Sequence, residues 1–190
     1  MEIRSCENKD LEAVIALWDA CGLNINPLND PAADIALCRD SGHGEVLVGI
    51  RDDELIATIM VGHDGHRGWY YYLATSPDHR HQGLGRVMVA AGEEWLSTRG
   101  LPKVELLVRD INKVAIDFYE KLGYVQEPVK VLSRRLDGRE HKEVQKTVQS
   151  TVTYLEMSEA PVRTPVPSPA DKHAVLRCEN ISVSFYRHLF

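Results

Sequence analysis

The residues best suited to chemistry form a turn at 80–86, Arg80-His81-Gln82-Gly83-Leu84-Gly85-Arg86. It follows a strand-like run that ends at Thr75 and opens a helical pattern reaching about Thr98. The first N–H groups of a helix lack intrahelical partners, and the positive end of its dipole lies there, so such a turn can bind an anion. Glycines at 83 and 85 let the backbone approach phosphate oxygens, and Arg80 and Arg86 add positive charge. The turn is neither a dinucleotide fingerprint nor a P-loop, because G-x-G-x-x-G is absent and no G-K-[ST] follows. Taken alone, the two glycines shape a turn and say nothing of a ligand.

A second signal lies one strand downstream, in Asn112-x-x-Ala115-x-x-Phe118-Tyr119-x-x-x-Gly123-Tyr124. On a helix Asn112, Ala115 and Tyr119 share a face, which presents an amide, a small residue and a phenol. A tyrosine at such a place is by itself a packed aromatic with a wet hydroxyl. After an anion-binding turn and one parallel strand, it becomes a candidate donor of a proton.

Together the two stretches resemble the GNAT superfamily, the Gcn5-related N-acetyltransferases. Residues 80–85 resemble its Q/R-x-x-G-x-G/A motif, and residues 112–124 its Asn…Tyr…Gly-aromatic motif. Gly62-His63-Asp64-Gly65-His66-Arg67-Gly68, ahead of a Tyr-Tyr-Leu strand, also resembles a bacterial branch, the YpeA-like proteins. The resemblance covers residues 1–136. It implies a mixed sheet with helices on both faces, and acetyl-CoA lying in a splayed gap between strands 69–75 and 103–108. The pyrophosphate would sit on the turn of Arg80, His81, Gln82, Gly83, Gly85 and Arg86. The pantetheine arm would bond backbone groups near Leu73 and Thr75, and also Asn112. A backbone N–H there would polarise the thioester carbonyl. A neutral amine would attack directly, and Tyr119 would protonate the departing thiolate. No cysteine need act as a nucleophile, and no metal is implied.

One departure stands out. Many members of the superfamily place a glutamate early in the strand before the phosphate turn, near Trp69 here, yet no carboxylate occurs between Asp64 and Asp78. His66 is the candidate base, with Asp64, a tyrosine of 70–72 or a water chain as alternatives. The ordinary range of a histidine suits that role. The competing reading is a loop whose Asp64 and His66 satisfy its own backbone. A non-catalytic acyl-CoA-binding sensor is the rival function, favoured by the missing glutamate and opposed by Tyr119.

The elements that must position these residues are legible as a pattern. Ile3–Cys6 is a short strand, and Asn8 caps a helix to Cys21 with Leu11, Val14, Ile15, Trp18 and Cys21 on one face. Trp18 belongs to the core. Asp30 and Pro31 start a second helix. Val46–Ile50 and Leu55–Val61 form a hairpin about Asp52-Asp53. Trp69–Thr75 follows, then a helix with Leu84, Val87, Met88, Ala91 and Trp95 inward, and a strand at Val104–Val108. A helix over Asn112–Leu122 and a last strand at Val129–Leu136 complete the order, with Tyr124–Gln126 as a further short strand. Strand, helix and strand over 69–108 make a parallel βαβ unit. The acceptor pocket is expected at the first two helices and their link, Gly22 to Pro31.

Composition narrows the class. The 190 residues are 44% hydrophobic and 26% charged, an ordinary globular balance. The net charge of −6 argues against nonspecific nucleic-acid binding. No apolar run nears the ~18 residues of a membrane helix, so no membrane partner is expected. MEIRSCENKD has no apolar signal core, and Cys6, Cys21, Cys38 and Cys178 include no C-x-x-C pair. A cytoplasmic protein with reduced thiols is expected.

Residues 1–136 hold 15 Lys and Arg against 21 Asp and Glu, whereas residues 137–190 hold 7 of each. Four prolines fall within 158–170, which favours an extended segment. A boundary is therefore placed near Leu136, between the acetyltransferase domain and a linker with an extension. Val152–Met157 alternates like a strand, and 174–190 aligns with the opening strand and helix. The extension is either the truncated start of a second GNAT-like domain or a coincidental match. Its apolar end, with Phe185, Tyr186, Leu189 and Phe190, suggests packing on the domain or in a homodimer. The acceptor is a small-molecule or peptide amine that nothing in the sequence names.

Overall fold

The order of elements follows from where hydrophobic periods change. The computed structural model of the chain describes residues 1–23, 29–136 and 138. Strand β1 (Glu2–Ser5) leads through a 3-10 turn at Asn8–Asp10 into helix α1 (Leu11–Ala20). Asn8 does not cap α1, because its side-chain oxygen accepts from Arg39 at 3.0 Å. Asp10 fixes the entry instead. It accepts two bonds from Arg4, at 2.6 and 2.9 Å, and one from the Glu7 N–H at 2.8 Å. Those bonds, the Arg4 bonds first, hold the Asp10 carboxyl below the usual carboxylate range.

Helix α2 (Pro31–Asp40) starts as expected, with Pro31 in the first turn and the Asp30 carboxylate accepting from Ala33 N–H at 3.1 Å. The hairpin of β2 (Gly44–Arg51) and β3 (Glu54–His63) turns at Asp52 and Asp53, both left-handed at φ +52° and +62°. Asp tolerates that conformation, which matches the twist of a two-residue hairpin. β4 (Gly68–Thr75), a 3-10 turn at Pro77–His79, helix α3 (Leu84–Ser97), β5 (Val104–Leu106) and helix α4 (Lys113–Lys121) follow. The sheet runs β1-β2-β3-β4-β5, antiparallel except for the β4–β5 pair. One face packs Val14, Leu17 and Trp18 of α1 with Ile35 of α2, and the other packs α3 and Tyr119 of α4. This is the mixed α/β sheet with helices on both faces.

Three expectations are corrected. Val87 is 45% exposed, and the buried stripe of α3 is Leu84, Met88, Gly92 and Leu96, flanked by Gly85 and Val89. Glycine carries no hydrophobic signal, yet Gly92 sets the line of closest approach: a Cβ there would meet Tyr70 Cε1 at 2.8 Å. β5 stops at Leu106 rather than Val108. Neither 124–126 nor 129–136 is a strand, and Val125, Val129, Val131, Leu132 and Leu136 are exposed. Alternation makes a strand only where a neighbour pairs with it, and no described strand flanks the outer edge of β5. Residues 24–28 of the expected acceptor link, Val152–Met157 and the 174–190 match lie outside the described residues.

β4 departs from regular alternation. Met60 pairs with Tyr71 and Thr58 with Ala74, so Tyr72 and Leu73 together oppose Ile59 alone. This is a β-bulge. Tyr72 is left-handed at φ +49°. Consequently Tyr71 and Tyr72 both enter the α1–α2 face, whereas Tyr70 and Leu73 enter the α3–α4 face.

Candidate active site

Parallel pairing between β4 and β5 covers only Gly68–Tyr70 against Val104–Leu106. Beyond Tyr70, β4 has no described strand paired to that edge. A cleft of about 210 Å³ opens at the far end of β4, lined by Leu73, Thr75, the 79–86 turn and one side of α4.

The start of α3 forms the floor of this cleft. α2 and α4 both begin beneath a side-chain cap, Asp30 and Asn112 respectively. α3 begins at Gly83, which has no side chain to offer, and no acidic residue stands in its first turn. Gly83 is left-handed at φ +75°, a conformation glycine adopts without strain. The first intrahelical bond is Val87 N–H to Gly83 O at 3.2 Å, so the N–H groups of Leu84, Gly85 and Arg86 precede the helical ladder. His81 is also left-handed, at φ +62°. A non-glycine residue in that conformation stores strain, which is common at binding turns.

Charge sharpens the picture. Arg80, Arg86 and Lys121 line the cleft, and among its lining residues there is no carboxylate. A chain of net charge −6 thus concentrates cations in one concavity, which focuses anions there. Lys121 is a residue the sequence reading missed. So are Phe118 and Leu122, which with Lys121 form an i, i+3, i+4 stripe of α4 facing the cleft. The missed signal was a lysine one turn beyond the motif tyrosine's neighbour. Cys21 also lines the cleft, and its thiol donates to Thr75 O at 3.3 Å. Burial pushes that thiol up, away from thiolate character. His79 lines the cleft too, with Nδ1 buried and unpartnered among the described residues.

The structure brings Leu73, Thr75, Arg80, His81, Gly83, Gly85 and Arg86 together. Four other expected residues lie elsewhere. Gln82 accepts from Arg51 at 2.6 Å and does not line the cleft. Asn112 caps α4, its Oδ1 accepting from Ala115 N–H at 3.1 Å. Tyr119 is 3% exposed and lies in the core with Leu73 and Tyr70, one residue from cleft-lining Phe118. Its hydroxyl is buried with no hydrogen-bond partner among the described residues. Burial first, and the nearby Tyr70 phenol second, raise its pKa well above the usual phenol value. It therefore stays protonated, as a donor must.

His66 is exposed in the β3–β4 turn, at the end of β4 remote from Thr75. At ~3.3 Å per residue the strand separates the two ends by about 20 Å. The structure does not bring His66 to the cleft. Asp64 holds that turn, accepting from His66 N–H at 2.8 Å, Arg67 N–H at 2.7 Å and Trp69 Nε1–H at 3.1 Å. Those bonds, the Arg67 backbone bond foremost, hold its pKa down to about 2, so Asp64 is a poor base. The loop satisfies its own backbone.

A sequence model described as the Acetyltransferase (GNAT) family matches residues 11–124, more than half of the chain. The chain belongs to the GNAT family of acetyltransferases. Among bacterial relatives, Acetyltransferase SG1711 of Sodalis glossinidius is 42% identical over 137 residues, 72% of this chain and 96% of that protein. Acetyltransferase ECA0875 of Pectobacterium atrosepticum is 40% identical over 142 residues, 74% of this chain and 100% of that protein. Solved GNAT-fold structures agree on architecture. An aminoglycoside acetyltransferase, AAC(6')-Iy in complex with a CoA-S-monomethyl-acetylneamine bisubstrate analogue, superimposes with TM-score 0.61 at 16% identity. It covers 70% of this chain and 97% of that one. A putative acetyltransferase from Agrobacterium tumefaciens gives TM-score 0.60 at 20% identity, covering 71% and 100%. The two motif segments of the chain, the turn at 80–86 and helix α4, both contribute residues to the cleft. No helix among the described residues is long and apolar enough to cross a membrane. Among them no three His, Cys, Asp or Glu side chains are grouped to hold a metal.

Proposed function

We propose that this acetyltransferase takes its acetyl group from acetyl-CoA and transfers it directly to a primary amine, in the cytoplasm. The observation that carries the reading is the cationic, carboxylate-free cleft built on the start of α3, which among the described helices presents a glycine in place of a side-chain cap. The chemistry of that donor set fits a diphosphate. The N–H groups of Leu84, Gly85 and Arg86 bind oxygens, His81 and Gly83 shape the turn, and Arg80, Arg86 and Lys121 supply charge. Gln82 holds the turn from outside through Arg51. Leu73 and Thr75 offer the splayed edge of β4 to an extended amide-bearing arm. Asn112, at the N-terminus of α4, bonds that arm as well as capping its helix.

The chain's own groups account for the transfer. Holding amine and thioester together supplies the positioning, and a β4 backbone N–H near Leu73 stabilises the developing oxyanion. Tyr119 gives its proton to the leaving thiolate. With Asp64 held ionised and His66 remote, the amine proton is assigned to water. The matched share of each relative's length, 96–100% against 72–74% of this chain, supports a catalytic unit that ends near Leu136. The amine is a small molecule or a peptide, and the extension after Leu136 mediates self-association. Calorimetry with CoA tests the site: tight binding to wild type, weakened about tenfold by Lys121→Ala and more so with Arg80→Ala, and weakening further with salt. CoA that fails to bind or to raise the melting temperature would contradict it.

A further inference from the structure

The bulge in β4 decides what the cleft is made of. With regular alternation from Tyr70, position 72 would face α3 and α4, and positions 73 and 75 would face α1 and α2. In the observed register Tyr72 is buried against α1 and α2, while Leu73 and Thr75 line the cleft. One left-handed residue therefore turns Leu73 and Thr75 toward the ligand. That residue is a tyrosine at φ +49°, where a bulky side chain is a true outlier and must be held from outside.

Three buried side chains hold it. The Trp18 indole stacks on the Tyr72 ring with centroids 3.9 Å apart and planes 8° from parallel. The Tyr72 hydroxyl donates to Asp34 Oδ2 at 3.0 Å. Trp18 Nε1–H donates to Thr58 Oγ1 at 2.9 Å, and Thr58 Oγ1 in turn lies 3.2 Å from the Tyr72 carbonyl oxygen. The indole is only a donor, so the Thr58 oxygen must accept from it. The single hydroxyl proton of Thr58 then points at the Tyr72 carbonyl, a direction fixed by chemistry. Trp18, Thr58 and Tyr72 are fully buried and Asp34 is 8% exposed. Ring, hydroxyl and carbonyl of one strained residue are thus gripped by α1, α2 and β3 respectively.

We propose that Trp18, Thr58 and Asp34 are a clamp whose task is to keep Tyr72 left-handed, and that Thr58 is a positioning residue for the cleft. The clamp touches neither the phosphate turn nor Tyr119, and it acts through the backbone of Tyr72 and Leu73. It rests on the acetyl-CoA reading only for its functional consequence. The register itself is a property of the free protein.

The test uses the full chain and two readouts. NMR couplings and shifts report the Tyr72 backbone torsion without ligand, and calorimetry with CoA reports the cleft. Thr58→Val keeps the shape and removes both hydroxyl bonds. We expect Tyr72 to leave the left-handed region and CoA affinity to fall about tenfold or more. Thr58→Ser, which restores the hydroxyl, should return both readouts to within about threefold of wild type. Tyr72→Phe, which frees only the Asp34 end, should shift both in the same direction by about threefold, and it serves where Thr58→Val does not fold. A left-handed Tyr72 with wild-type CoA affinity in Thr58→Val, or an unmoved Tyr72→Phe, overturns the clamp. Wild type that binds no CoA refutes the acetyl-CoA reading instead, and the torsion readout still decides the clamp.

Discussion

Tyr72 of β4 and Tyr119 of α4, buried on opposite faces of the sheet, are held in opposite ways. On the α1–α2 face the Tyr72 hydroxyl is bonded to Asp34 and its ring is stacked on Trp18. On the α3–α4 face the Tyr119 hydroxyl is buried without a hydrogen-bond partner among the described residues. A buried unpaired hydroxyl costs free energy that folding alone does not recover. The first face spends its polar groups on holding a strained backbone. The second buries the Tyr119 phenol, protonated, in the cluster that includes cleft-lining Leu73.

The contrast can be broken most severely at Trp18, which is fully buried and contacts the clamp through both its ring and its N–H. Trp18→Ala should destabilise the fold by about 3–5 kcal/mol in chemical denaturation. The same substitution on the two faces should then give opposite results. Tyr72→Phe removes a satisfied bond to Asp34 and should cost about 1–3 kcal/mol in the same assay. Tyr119→Phe removes an unsatisfied hydroxyl, so its stability should equal or exceed that of wild type. Truncation after Leu136 should leave CoA affinity unchanged in calorimetry while lowering solubility or self-association, read by sedimentation. Lost CoA binding would place part of the site in the extension.

The smallest effect concerns the Asp64 turn at the remote end of β4. Its carboxyl, ordinarily near 3.8, is held down to about 2 in the folded chain. The folded state therefore binds that proton less readily than the unfolded state. The stabilisation is complete above the ordinary value and is lost as pH falls from about 4 toward 2. Asp64→Asn should flatten the stability profile in that window, measured by thermal melts at stepped pH. It should leave turnover near wild type, because the cleft lies at the other end of the strand.

Much of this was legible before any coordinates. The Asp30-Pro31 helix start, the Asp52-Asp53 hairpin and the glycine turn each carry local chemistry that dictates local geometry. The turn at 80–86 was readable because a glycine at a helix start is itself a local signal. The bulge was not read, although three consecutive tyrosines carried a trace of it: strict alternation cannot send two neighbours to one face. Lys121 lies off the Asn112–Ala115–Tyr119 stripe, of which Ala115 and Tyr119 are buried in the core. His66 looked suitable by residue type, yet placement along a strand is a tertiary property that residue type does not encode. The strand expected at Val129–Leu136 failed for a related reason, since alternation describes one partner and a sheet needs two.

The central claim is that a protonated Tyr119 behind the cleft serves acetyl transfer from CoA to an amine. Release of CoA thiol from acetyl-CoA, followed across a panel of primary amines by wild type and Tyr119→Phe, addresses it most directly. The account predicts turnover with at least one amine, a fall of about 100-fold in kcat for Tyr119→Phe, and CoA affinity retained in both. Wild-type release no faster than that of Tyr119→Phe with every amine would contradict it, and would leave a GNAT domain that binds acyl-CoA without transferring its acyl group.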